Sequence, residues 1–179
     1  MNQQADAEDN VEDPVARLFL GTSRDRLHQC REKIEHCLGQ LEDQQIWWRA
    51  DPSSNSIGNL LLHLAGNLRQ WIVAGVGGAD DVRDRPREFA ERGPIPRAEL
   101  FAQFSQAIDE AADTLTNTLP SQLPTPKRVQ GFEVNNLSAV YDSVAHLSGH
   151  TQEIVFMTRL QLGDRYRFHW TPGPEHGAA

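Results

Sequence analysis

Apolar residues recur at three- and four-residue spacing in four long stretches of the chain. That is the period of a helix with one buried face. The first stretch runs from about 14 to 41 and is carried by Leu18, Leu20, Leu27, Cys30, Ile34, Cys37, Leu38 and Leu41. A turn-rich AlaAspProSerSerAsnSer follows, and Ser56 is placed to cap a second helix over about 57–76. There Ile57, Leu60, Leu61, Leu64, Leu68, Trp71 and Ile72 form a broad apolar face. A third pattern over about 97–119 turns Leu100, Phe101, Phe104, Ile108, Ala111, Ala112 and Leu115 inward. The fourth covers about 136–162 and stops at Gly163, a residue suited to close a helix.

The connections are as informative. GlyValGlyGlyAlaAspAspValArgAspArgProArgGluPheAlaGluArgGlyPro is too long for a tight turn between helices. It predicts a crossover with a short helical turn near Glu88–Glu91. ValGlnGlyPheGluVal predicts a small hairpin around Gly131. Four helices with a long crossover and no parallel-sheet signature predict an all-α fold, a four-helix bundle.

Charge changes this picture only at the ends. The formal charge is −8 over 179 residues. Asp6, Glu8, Asp9, Glu12 and Asp13 crowd the first thirteen residues with no base among them, so the rest is only mildly acidic. The expected organisation is an acidic, disordered tail over 1–13, a bundle over 14–163 and a loose C-terminal tail over 164–179. The acidic balance argues against a general nucleic-acid partner. The N-terminus lacks the basic start and apolar run of a signal peptide, and the apolar runs are too short to span a membrane. A soluble, cytoplasmic protein without nucleic-acid or membrane partners is expected.

Seven histidines stand out against two cysteines. His146 and His150 lie four apart on the fourth helix, on one face and near enough to share a metal ion. Asp142 and Glu153 flank them, all within an arc of roughly 80°. His63 and, one turn on, Asn67 sit at the border of the second helix's apolar face, where a polar pair needs hydrogen-bond partners or a ligand. An isolated histidine pair at this spacing is a weak signal, and a single histidine beside a core is commonly just a satisfied polar residue. Together, three imidazoles from two helices suit a divalent transition metal. His28, His36, His169 and His176 lie on a charge-rich helix or in the tail and make no such claim.

Cys30 and Cys37 lie about 10.5 Å apart along a helix at ~1.5 Å per residue, too far for a disulfide, so buried thiols are expected. Trp47 and Trp48 are read as closing one end of the core rather than lining a pocket. Arg83, Arg85, Arg87, Arg92 and Arg97 alternate with Asp80, Asp81, Asp84, Glu88, Glu91 and Glu99, which predicts a solvated, mutually paired loop. The fourth helix is apolar on more than one side: Val140, Val144, Leu147, Ile154 and Val155 lie opposite the histidines, and Ala139, Ala145, Phe156, Met157 and Leu160 lie on or beside their side. One such face is expected to meet a second subunit.

The stretch TrpTrpArgAlaAspProSerSerAsnSerIleGlyAsnLeuLeuLeuHisLeuAlaGlyAsnLeu, followed later by HisLeuSerGlyHisThrGlnGluIle, resembles the DinB-like (YfiT-like) superfamily over roughly residues 14–163. This is the damage-inducible group of metal-dependent bundle proteins, not the similarly named polymerase. The resemblance places the superfamily's one-plus-two histidine pattern on His63, His146 and His150. It implies a four-helix bundle with a long crossover, a homodimer and a bound nickel, zinc or similar ion. Some members are thiol-dependent transferases or isomerases, so the resemblance also implies a low-molecular-weight thiol as one candidate co-substrate.

On this reading His63, His146 and His150 are metal ligands with a position open for a thiol or water, whose pKa the ion would lower. Glu153 is the candidate general base or an additional ligand. Asp142 is expected to orient His146, and Asn67 to contact water or a small-molecule substrate. Activity as a thiol-dependent transferase or a hydrolase is expected. The alternative is a non-catalytic dimeric bundle, a stress or binding protein with a structural or vestigial metal.

Overall fold

The computed structural model describes residues 13–171. The first helix, α1 (Pro14–Leu38), starts where Asp13 accepts the backbone N–H groups of Val15 and Ala16, with Pro14 pre-set in the first turn. It is shorter than its hydrophobic pattern, because the chain turns at Gly39 and continues as a one-turn α2 (Asp43–Ile46). Leu41 is still buried beyond the helix end. Leu18 departs from expectation and is exposed, since it lies on the side of the helix away from buried Leu20, Leu27 and Ile34.

Ser56 caps α3 (Ile57–Leu68) by accepting the N–H of Asn59, as its position in the sequence predicts. The predicted extent to residue 76 is right, but the last eight residues are wound differently: Arg69–Val76 forms a π-helical segment directly after Leu68. The crossover carries α4 (Arg85–Ala90), close to the predicted short turn. The chain then re-enters the bundle as α5 (Arg97–Asn117). A hairpin of β1 (Pro126–Val129) and β2 (Phe132–Asn135) turns at Gln130 and Gly131, both at positive φ. Asn135 then caps α6 (Asn136–Leu162) by accepting the N–H of Ser138, and Gly163 closes it at φ 54°.

Helices α1 and α5 pack together and each takes a second neighbour, α6 for the first and α3 for the other. The ring closes where α3 and its π-helical continuation meet α6. Phe104, Leu27, Ile34, Leu60, Leu61, Leu64 and Ile108 fill the space between them. Each fully buried side chain of this size contributes about 1.5–3 kcal/mol through removal from water. The bundle is therefore built by the apolar stripes, while the crossover helix packs along α3 and the hairpin packs on the π-helical segment and on α6.

Several secondary expectations hold locally. Cys30 and Cys37 are buried free thiols, and burial pushes the Cys37 thiol up. Trp47 closes one end of the bundle. Its ring lies against Gly58 and Gly93, where a Cβ would come within 2.8 and 2.7 Å, and its Nε1–H donates to the Ile95 carbonyl. Trp48 stays at the surface. The chain following α6 folds back on α1, with Arg167 bound by His36 and Gln40. Of the expected tails over 1–13 and 164–179, residues 1–12 and 172–179, with His176, lie outside the described residues.

Candidate metal centre

The three predicted histidines come together although 83 residues separate His63 from His146. One donor atom from each of His63, His146 and His150 lies within 4.8 Å of the other two. The ring centroids are 4.9, 5.4 and 4.5 Å apart for the pairs 63–146, 63–150 and 146–150. The Nε2 atoms of His63 and His146 are 3.1 Å apart. Two nitrogens on one tetrahedral ion at 2.0–2.1 Å would lie about 3.3 Å from each other, so this separation suits a shared ion.

Two of the rings are held from behind by carboxylates. His150 Nδ1 lies 2.6 Å from Glu153 Oε2, which leaves Nε2 as its free donor atom. Glu153, the candidate base, therefore sits on a histidine nitrogen, where it fixes the ring. His63 Nδ1 lies 3.0 Å from Glu88 Oε2 and 3.0 Å from Arg83 Nη2. A guanidinium can only donate and a carboxylate can only accept, so the two contacts require opposite tautomers. Arg83 already donates to Glu88 at 2.7 and 2.8 Å. A bare Nδ1 facing a carboxylate oxygen would be repelled by it. His63 Nδ1–H donating to Glu88 is the consistent arrangement, and it frees Nε2 for a metal.

The Arg83–Glu88 pair is the part of the site that sequence reasoning missed. The side chains are 3% and 9% exposed, against the expectation of a solvated loop. Asn59 builds this position: its side-chain amide donates to the carbonyls of Glu88 and Glu91 at 2.8 and 3.0 Å, and pins α4 to α3. Gly66 leaves the space, since a Cβ there would stand 2.0 Å from Glu88 Oε1. Burial alone would raise the Glu88 carboxyl, but hydrogen bonds and charge from Arg83, and then from His63, hold it below its ordinary range.

The remaining predicted residues divide. Asn67 accepts from the Ser143 hydroxyl at 3.0 Å, joining α3 to α6 beside the histidines. Asp142 does not orient His146, whose Nδ1 is buried with no partner. One turn away on α6, Asp142 instead lines a cleft of about 230 Å³ with His63, Asn67, Trp71, Arg85 and His146. A larger groove of about 650 Å³ lies under the crossover, but no histidine lines it.

Burial, followed by the charges of His150, His63, Arg83 and Arg85, pushes His146 down from 6.5 to about 4. A neutral imidazole is the form that binds metal. The same shift gives a sign for stability. Between these two values the unfolded chain binds a proton that the metal-free fold resists. This contribution is whole above about pH 6.5 and is lost as pH falls toward about 4. Urea midpoints of metal-free protein should drop over this interval, and His146→Gln should drop less. Parallel curves would show that His146 carries none of the dependence.

Known proteins bear out the fold. The family model for DUF1572, proteins of unknown function, matches residues 14–172. The chain belongs to this family, which is DinB/YfiT-like. A conserved protein from Enterococcus faecalis superposes with a TM-score of 0.69 at 18% identity, covering 80% of this chain and 96% of its own. A DinB-like protein from Bacillus cereus ATCC 10987 gives 0.61 at 14%, covering 80% and 90%. No curated protein matches the DUF1572 chain. The all-α, DinB-like fold is thus shown. Among the described residues, no helix is long and apolar enough to cross a membrane.

Proposed function

We propose that this DUF1572 protein holds one divalent transition ion, nickel or zinc, on His63, His146 and His150, and works as a metal-dependent enzyme. The observation that carries this reading is the convergence of three imidazole donors within 4.8 Å beside an open cleft. Two of the rings are further oriented by Glu88 and Glu153. Three nitrogen donors without a thiolate or carboxylate among them are the ligand set of an open catalytic site rather than of a closed structural one. A bound ion would acidify a thiol or water brought to it. Glu88 and Glu153 keep the ligand rings aimed. Asn67 and Asp142 offer polar contacts to a small-molecule substrate, and a low-molecular-weight thiol is the proposed co-substrate.

A homodimer belongs to the same reading. Leu137, Tyr141, Phe156 and Leu160 of α6 are large, exposed and apolar, while Val140, Leu147 and Ile154 on the other side are buried in the bundle. Protein purified without a polyhistidine tag should carry close to one divalent ion per chain. It should elute as a dimer by light scattering and show turnover in a thiol-transfer screen. A preparation that refuses added nickel and zinc would remove the metal. A monomer would remove the interface, and metal without any turnover would leave a binding protein.

A further inference from the structure

The cleft beside the histidines is lined by two side-chain charges of opposite sign, Arg85 and Asp142. Arg85, at the start of α4, lines it with its guanidinium carbon 4.9 Å from the Phe89 ring centroid. Phe89 in turn rests against the His63 ring at 4.8 Å. Asp142 lines the cleft from α6. Neither Arg85 nor Asp142 makes a side-chain hydrogen bond or ion pair among the described residues. Their neighbours behave differently: Arg83 is consumed by Glu88, and Arg69 by Glu110. Trp71 also lines the cleft, and its Nε1–H donates to Gln130 Oε1 at 3.2 Å. Gln130 reaches that place from a turn position at φ 52°.

Both side chains are exposed at the cleft, where water solvates them until a ligand carrying both complements replaces it. The volume, about 230 Å³, equals about eight waters at ~30 Å³ each. That suits a molecule of amino-acid size. We infer that the cleft recognises a small zwitterion of the α-amino-acid class, its carboxylate on Arg85 and its ammonium on Asp142, with its metal-binding group presented to the three histidines. This deepens the proposed function and rests on it.

The test uses cobalt-loaded full-length protein and the visible absorption change on thiol binding. The probes are L-cysteine, 3-mercaptopropionate, which lacks the ammonium, and cysteamine, which lacks the carboxylate. Cysteine should bind about tenfold more tightly than either, the weight of one charge-assisted hydrogen bond. Arg85→Gln should erase the preference over cysteamine alone, and Asp142→Asn the preference over 3-mercaptopropionate alone. Equal binding of all three probes overturns the inference. So does a cysteine preference that survives both substitutions, because it then comes from chelation by the ion and not from the protein's charges. Either result leaves the metal centre standing. Protein that takes up no cobalt overturns the metal centre and the inference together.

Discussion

His146→Ala should abolish stoichiometric metal, while circular dichroism and the unfolding midpoint show the bundle intact. The site has three histidine donors within 4.8 Å and no cysteine or further carboxylate within that cluster. Removing one leaves two donors on an ion that normally takes three protein ligands plus an exchangeable position. His146 is the critical member. It is the nearer neighbour of each of the others, with its ring 4.9 Å from His63 and 4.5 Å from His150, against 5.4 Å between those two. Burial and neighbouring charges also disfavour a competing proton on its imidazole, down to about 4. The fold should tolerate the change, because His146 Nδ1 has no hydrogen-bond partner to lose. The control is His169→Ala, at an exposed position where, among the described residues, the ring meets His36 edge-on at 5.2 Å. Full metal content in His146→Ala would take this residue out of the site. Loss in His169→Ala as well would show that the metal sat on surface histidines.

The prominence of His146 was legible because helices translate spacing into geometry. An i, i+4 pair on a helix with clear ends can face only one way, and α6 runs over the predicted residues, from Asn136 to Leu162. His63 was legible because a polar residue in LeuLeuLeuHisLeuAlaGly is costly without a partner. The Arg83–Glu88 pair was not. Its two residues lie in a segment where acids and bases alternate, and such a segment reads as solvated until tertiary structure buries it. What buries it is Asn59 on the other side of the crossover, together with the space that Gly66 leaves. The sequence signal was Gly66, a glycine inside the helix three residues after His63. Asp142 fails for the complementary reason. Helical spacing puts it near His146, but rotamer and cleft decide what it touches. The π-helical turn after Leu68 was equally hidden, since a hydrophobic stripe fixes which residues are helical more firmly than how tightly they are wound.

Glu88→Ala should then be the most damaging single change outside the ligands, and it should act on two quantities at once. The Arg83 side chain is 3% exposed, and both carboxylate oxygens of Glu88 meet it, at 2.7 and 2.8 Å. Alanine leaves that guanidinium buried with only Gln70 and the His63 carbonyl as acceptors. Breaking one side of a buried pair costs about 3–5 kcal/mol. Metal affinity should fall as well, by about 10–100-fold, because His63 loses the acceptor that holds its Nδ1–H and orients Nε2. Two further variants separate these effects. In Arg83→Met/Glu88→Ala the stranded charge is gone, so stability should recover most of the loss while metal affinity stays low. Glu88→Gln keeps an oxygen for His63, so it should retain more affinity than alanine but lose the charge pairing with Arg83. Urea unfolding of metal-free protein and zinc titration against a chelator read the two quantities independently. An unchanged midpoint in Glu88→Ala would show that Arg83 finds other partners or water. Unchanged zinc affinity would show that His63 is held by α3 packing alone and that the carboxylate behind it is incidental to the metal centre.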